Sequence, residues 1–246
     1  TANAFASGLC VVNGDINTDN SAVDMTDATS AGLFDLNSRT VLYAKNIHER
    51  LAPASLTKLM TAVVALKYGN PDDVITVSSN MGNLESGAVV CGLAEGDQLT
   101  LNQALHALLI KSANDAAVAI AEHIGGSVEG FADMMNEEAQ AIGATNSHFV
   151  NPHGLDNDAH YTTARELALI TRAALENPDF REIVSTQKTI IPLRGSEGVR
   201  LLLNHNRLLR EYDGCIGVKT GFTKKTGRCL VSAAERDGVM LIAVTL

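Results

Sequence analysis

From position 101 to 175 apolar residues recur at three- and four-residue spacing in four segments, 101–111, 115–124, 128–142 and 163–175. On either side of that block the chain carries short β-branched runs: 31–35, 40–45 and 74–77 before it, and 189–191, 199–203, 215–220, 228–233 and 239–245 after it. Spacing of three and four lays an apolar stripe along a helix, and alternation lays one along a strand. The order strand, helix, strand therefore predicts an α/β chain of the α+β kind, in which both ends feed one antiparallel sheet and a helical lobe is inserted between them. With 246 residues, 46% of them hydrophobic, there is enough apolar side chain for one substantial core. The expected division is a mobile or loosely docked lead-in over 1–28, rich in Asp, Asn, Ser and Thr, then one catalytic-size domain over 29–246. Within it, 29–78 and 185–246 form the sheet lobe and 79–184 the helical lobe. The turn at 36–39 makes 31–45 a hairpin, and the Gly-rich stretch 82–96 is expected to be irregular.

A net charge of −9 excludes nucleic acid as the natural partner, since phosphate binding requires clustered Lys and Arg. No run of about eighteen apolar residues occurs. Ala2-Asn3-Ala4 has the small-x-small look of a signal cleavage region, but no basic and apolar leader precedes it, so a secreted and a cytoplasmic protein are equally compatible with these residues. Cys10, Cys91, Cys215 and Cys229 show no Cys-x-x-Cys spacing. Cys215 and Cys229 flank a hairpin nearly symmetrically, and two readings stay open for them, a cross-strand disulfide or a pair of buried thiols.

Three short motifs carry the chemistry. The first is Ser55-Leu56-Thr57-Lys58, which follows Pro53 and starts an apolar helix. A hydroxyl at i and an amine at i+3 share a helix face, and the first turn offers unpaired N–H groups and the positive dipole end to developing negative charge. The second is Ser112-Ala113-Asn114 at a junction of two helices, where Ser112 or Asn114 would equally serve as a helix cap. The third is Lys219-Thr220-Gly221-Phe222 at the end of a strand, equally readable as a Gly turn with an exposed Lys.

This order of motifs resembles that of penicillin-binding proteins and class A β-lactamases. With 46–60, 112–123, 148–155 and 214–234, the chain resembles the low-molecular-mass serine D-alanyl-D-alanine carboxypeptidases from about Ala31 to its last residue. The resemblance implies a β-lactamase/transpeptidase-like fold with a five-stranded antiparallel sheet. It implies cleavage of the terminal D-Ala from peptidoglycan stem peptides through an acyl-serine, covalent inhibition by β-lactam antibiotics, no cofactor, and an extracytoplasmic location in the cell envelope.

Acyl transfer needs a nucleophile, a base and donors at the oxyanion. Ser55 is the expected nucleophile and Lys58 its base, which requires a pKa roughly three units below about 10.4, a cost near 4 kcal/mol. Burial and the like charge of Lys219 act in that direction. Ser112 would relay a proton to the leaving group, and Asn114 would hold the substrate amide or orient Lys58. Lys219 and Thr220 would bind the peptide and its carboxylate, Gly221 would let the backbones approach, and the resemblance places the oxyanion between the N–H groups of Ser55 and Phe222.

Relatives of this family carry a carboxylate-gripping basic residue shortly past the final strand. They commonly continue into a β-rich domain and an amphipathic membrane-binding tail. Leu246 precedes all three, so a catalytic-domain piece is expected, with membrane attachment only through segments outside it. A β-lactamase of the same fold is the alternative within the fold. Ala113, where class A enzymes have Asp, and the lack of a Glu-x-x-Leu-Asn stretch weigh against it. A non-catalytic peptidoglycan-binding domain is the alternative outside enzymology, and the complete motif set weighs against that. His148, His153, Asp156, Asp158 and His160 crowd one segment without the spacing of a zinc signature, so no metal is expected there. Asn204-His205-Asn206 is a candidate for lining the site.

Overall fold

The computed structural model describes residues 5–6, 9–10, 14–16, 24–194 and 199–246. In chain order, β1 (Phe5–Ala6) and β2 (Leu9–Cys10) pair with each other, and β3 (Ala31–Asp35) and β4 (Thr40–Lys45) form the expected hairpin. A 3-10 turn over Ala54–Thr57 leads directly into α1 (Lys58–Tyr68), followed by β5 (Val74–Thr76), a second 3-10 turn over Ser79–Asn83, and β6 (Gln98–Thr100). The helical block comprises α2 (Leu101–His106), a π-turn over Ala107–Lys111, α3 (Asn114–Gly125), α4 (Val128–Ile142), α5 (Ala164–Leu175) and α6 (Pro178–Ser185). The chain then makes β7 (Lys188–Pro192), β8 (Val199–Leu203), the short α7 (Leu208–Glu211), β9 (Cys215–Thr223), β10 (Gly227–Arg236) and β11 (Val239–Thr245). The described residues thus build an α+β fold around a five-stranded antiparallel sheet of order β4-β3-β11-β10-β9, in which both ends of the chain meet.

The helix boundaries follow from capping. Thr100 and Gln103 close a capping box on α2, the Ser127 hydroxyl accepts from Gly130 N–H at the start of α4, and Thr163 does the same for Glu166 N–H at the start of α5. Gly126 and Gly143 take the left-handed conformation that ends α3 and α4. Helix α1 is apolar on nearly every side because it is enclosed on nearly every side, with contacts to α3, α4 and α5. Helix α5 lies on β3, β10 and β11, and α6 on β9.

Several expectations are corrected. The strands around 189–191 and 199–203 do not join the main sheet but pair only with each other, Ile190 opposite Leu201. The strand at 74–77 finds its partner in β6, a segment too short and too polar to stand out by alternation. Helix α6 escaped the periodicity because only Phe180, Ile183 and Val184 are apolar and buried, although Asn177 capping Asp179 and Phe180 with Pro178 at the first position is a start signal visible in the sequence. Part of the lead-in is attached: Ile16 bridges Ala44, Asp15 accepts from Asn46 N–H, and Lys45 donates to the carbonyls of Met25 and Ala28. The remainder of the expectation for 1–28 falls on 1–4, 7–8, 11–13 and 17–23, outside the described residues.

Cys215 and Cys229 do not face each other. Register places Cys229 opposite Gly221 and Cys215 opposite Ala234, five residues apart along β10, and both thiols are free. Burial pushes Cys229 up to about 11 and raises Cys215 as well; the disulfide is ruled out, and of the two thiols Cys229 is buried and Cys215 half-buried.

Candidate active site

The first motif sits where the 3-10 turn becomes α1. Ala54 has φ 48°, a left-handed conformation for a residue with a side chain, and it hands Ser55 to the turn half-buried and facing a cavity of about 560 Å³. Lys58, one turn on, has no exposed surface, and its Nζ lies 3.0 Å from Ser55 Oγ. It donates to Asn114 Oδ1 at 2.7 Å and to the His153 carbonyl at 2.7 Å. Neither of those partners can donate back, and a neutral amine has two N–H bonds and one lone pair. The two acceptors take both hydrogens, which leaves the lone pair for the hydroxyl hydrogen of Ser55. Burial first, and the like charge of Lys219 second, hold Lys58 well below its ordinary pKa, with Asp115 opposing them.

The second motif is delivered by a helix defect. The π-turn after α2 inserts an extra residue, Ala113 N–H reaches back to the Ala107 carbonyl, and Ser112 is left at φ 64°, ψ 33°. Single-turn π insertions and left-handed residues with side chains concentrate at functional sites, where neighbouring structure compensates their strain. Ser112 is 5% exposed and Asn114 4%, and both point inward. The third motif lies on β9, an edge strand. Lys219 Nζ donates to Ser112 Oγ at 2.9 Å and to its neighbour's carbonyl, Thr220 O, at 2.8 Å. Desolvation lowers Lys219 to about 7. A Cβ placed on Gly221 would lie 3.3 Å from both Ser55 N and Pro53 O, so glycine lets the strand edge run close against the Ser55 turn.

Ser55, Ser112, Thr220, Gly221 and Phe222 line one cavity. Val89, His205 and Asn206 line it too, whereas Asn204 is buried beneath, bonded to the carbonyls of Val184 and Thr186. All eight residues singled out from the three motifs therefore converge, Lys58, Asn114 and Lys219 through hydrogen bonds behind the cavity wall.

Outside the three motifs, the loop at 151–155 also enters the site, through a backbone carbonyl and not through the His153 side chain. Asn151 Oδ1 accepts from the N–H groups of His153 and Gly154, Thr61 donates to the Pro152 carbonyl, and the His153 carbonyl thereby reaches Lys58. Gly154 has φ 87°, and a Cβ there would sit 1.8 Å from the Ala54 carbonyl, so the loop presses directly on the Ser55 turn. The Asn-Pro-His-Gly run was the available signal for such a turn. The histidines and aspartates of this region are spoken for one by one. His160 accepts from Val150 N–H through Nδ1 and so turns Nε2 to the Thr57 hydroxyl at 2.7 Å, His153 accepts from Leu155 N–H, Asp156 from Thr223, and Asp158 pairs with Lys225. Among the described residues no group of three such side chains is arranged to hold a metal ion.

A family model for D-alanyl-D-alanine carboxypeptidase matches residues 17–246. The chain is 35% identical over 222 residues to the D-alanyl-D-alanine carboxypeptidase DacF of Bacillus subtilis, covering 89% of this chain and 57% of that protein. It is 35% identical over 236 residues to DacA of Escherichia coli, a D-alanyl-D-alanine carboxypeptidase, covering 91% and 57%. It spans little more than half the length of these curated relatives. The crystal structure of the Streptomyces K15 DD-transpeptidase superposes with a TM-score of 0.84 at 33% identity, covering 89% of each chain.

Proposed function

Because the chain belongs to the D-alanyl-D-alanine carboxypeptidase family, we propose that residues 29–246 form the catalytic domain of a serine D,D-carboxypeptidase that removes the terminal D-Ala from peptidoglycan stem peptides in the cell envelope. Ser55 Oγ attacks the carbonyl carbon of the penultimate residue while its proton passes to Lys58 Nζ. The oxyanion is received by the backbone N–H groups of Ser55 and Phe222. Collapse breaks the peptide C–N bond, the departing amine takes a proton relayed through the Ser112 hydroxyl from Lys219, and Asn114 keeps Lys58 aligned. Thr220 and the edge of β9 hold the peptide in extended form. Water then cleaves the acyl ester: its proton passes by way of the Ser112 hydroxyl to the Lys219 amine, and Lys58 returns the first proton to Ser55 Oγ as the ester C–O bond breaks. β-Lactams acylate the same hydroxyl.

The observation that carries this reading is the arrangement about Lys58, whose two fixed acceptors leave only Ser55 for the lone pair. The reading is tested by intact mass after treatment with a penicillin and with a diacyl-D-Ala-D-Ala peptide. A long-lived penicilloyl adduct on Ser55, absent in Ser55→Ala, with release of D-Ala from the peptide, is expected. No adduct, or equal labelling of Ser55→Ala, overturns the enzymatic reading, and rapid turnover of the adduct identifies a β-lactamase instead. Among the described residues no helix is long and apolar enough to cross a membrane.

A further inference from the structure

The segment 84–93 has no helix or strand, yet part of it is tightly held. Cys91 N–H donates to both Asp115 oxygens at 2.9 and 3.0 Å, Gly92 N–H to Oδ2 at 2.9 Å, and Leu93 N–H to Oδ2 at 3.0 Å. Ala116 N–H adds a bond at 2.9 Å from the first turn of α3. Gly92, at φ 81°, takes the left-handed conformation that turns successive N–H groups toward one anion. Asp115 is 2% exposed, and these N–H donors stand in for the water its carboxylate has lost. From β8, Arg200 ties the Gly92 carbonyl from outside. Just before the clamped residues, Val89 lines the reactive cavity, and its carbonyl accepts from Asn114 N–H at 2.8 Å. Asn114 in turn holds Lys58.

We propose that Asp115 is a positioning residue for the acyl transfer: by gathering the N–H groups of residues 91–93 it fixes Val89 as a wall of the cleft and steadies Asn114 as the acceptor that aims Lys58. This inference rests on the serine peptidase reading. The clamp also has an electrostatic side. The charged or titratable groups acting on Lys58 are Lys219 from β9, Asp115 from α3, and His153 from the 151–155 loop, which burial holds at about 3 and hence neutral at working pH. Asp115 alone favours the protonated amine, so removing its charge lowers the Lys58 pKa further. A residue that merely filled space would leave the pH profile where it was.

The experiment measures the acylation rate of the intact chain by a fluorescent penicillin from pH 5 to 9, with limited proteolysis in parallel. Asp115→Asn is expected to react about ten- to a hundredfold more slowly at its plateau, to have its acid limb at lower pH than the parent, and to be cut within 84–96. Asp115→Glu, which keeps the charge on a longer stem, should keep the parent's acid limb while its loop is cut. An unchanged rate in Asp115→Asn, or a slower rate with an unmoved limb and an uncut loop, overturns the proposal. Should Asp115→Asn not fold, amide exchange in the parent decides: Cys91, Gly92 and Leu93 amides protected as well as those of α3 support the clamp, and rapid exchange there overturns it. A parent chain that is not acylated at all instead overturns the function on which this rests.

Discussion

The two sides of the cleft each end in a buried lysine, and the lysines are held differently. Lys58 is surrounded by groups from three other places, the hydroxyl of Ser55, the amide oxygen of Asn114 and the His153 carbonyl. Lys219 has one obligatory acceptor, the Thr220 carbonyl, and one adaptable partner, the Ser112 hydroxyl, which accepts from an ammonium or donates to an amine. Lys219 keeps both bonds whichever way it is protonated, and it sits at about 7. Lys58 gains a base's geometry only when neutral. In the proposed mechanism the one would accept the Ser55 proton, and the other, at about 7, would serve as charge and proton source. Deleting each amine separately is the strongest way to break the comparison. Lys58→Met is expected to lower acylation by penicillin by about 10² to 10⁴, the range for loss of a positioned base, with no shift in pH profile able to restore it. A loss under tenfold would remove Lys58 from the role.

Lys219→Met should cost less, about 10², as loss of one charged contact to substrate and transition state. It carries a signature that Lys58→Met lacks. The like charge of Lys219 lowers Lys58, so without it the Lys58 pKa rises and the acid limb of the rate profile moves to higher pH. Asp115→Asn moves the same limb the other way. A rate profile for Lys219→Met with the parent's limb would show that the two amines do not sense each other.

The same contrast explains what was legible in the sequence. The Lys219 side is a strand whose partners lie next to it in the chain or on a helix junction with its own motif, so residue pattern and motif order sufficed. Strands β9, β10 and β11 and helices α3, α4 and α5 were found within a few residues for that reason. The Lys58 side depends on a backbone carbonyl 95 residues away, and any residue type at position 153 supplies a carbonyl. Nothing in side-chain chemistry announces such a contact. Asp115 was visible beside the second motif but silent, since its donors are backbone N–H groups of an irregular loop. The separate β7–β8 hairpin was missed because pairing partners are a tertiary choice that strand propensity does not encode.

Gly154→Ala probes that hidden dependence. With φ 87° and a Cβ forced to within 1.8 Å of the Ala54 carbonyl, either the 151–155 loop or the Ser55 turn must move. We expect about 1–3 kcal/mol lost on denaturant unfolding, as for overpacking elsewhere, and acylation reduced about tenfold or more. Gly227→Ala, which also has positive φ but open space around its Cβ, is the control and should leave acylation unchanged. Equal effects from the two substitutions would mean that backbone conformation, and not pressure on the Ser55 turn, is responsible.

The smallest effect sharpens the comparison through stability alone. Beneath the Ser55 turn, His160 bonds the hydroxyl of Thr57, the residue before Lys58, and burial holds the imidazole at about 4. In the unfolded chain it returns to about 6.5. Between those values the unfolded chain binds a proton that the native chain refuses, so stability is fully present above about 6.5 and is lost as pH falls through 4. The contribution is about 3 kcal/mol at most, and His153, held at about 3 by burial, adds to it in the same direction. Melting temperature should therefore drop between pH 6.5 and 4, and His160→Gln, though less stable at neutral pH, should show a shallower drop. Amide exchange at pH 5 should open the 151–155 loop and the Ser55 turn before β9, because His153 and His160, both held low by burial, lie there. His205, lowered by burial and by the charges of Lys219 and Lys111, is much less buried. If β9 opens first, acid sensitivity does not reside on the Lys58 side, and the asymmetry between the two amines is confined to their hydrogen bonds.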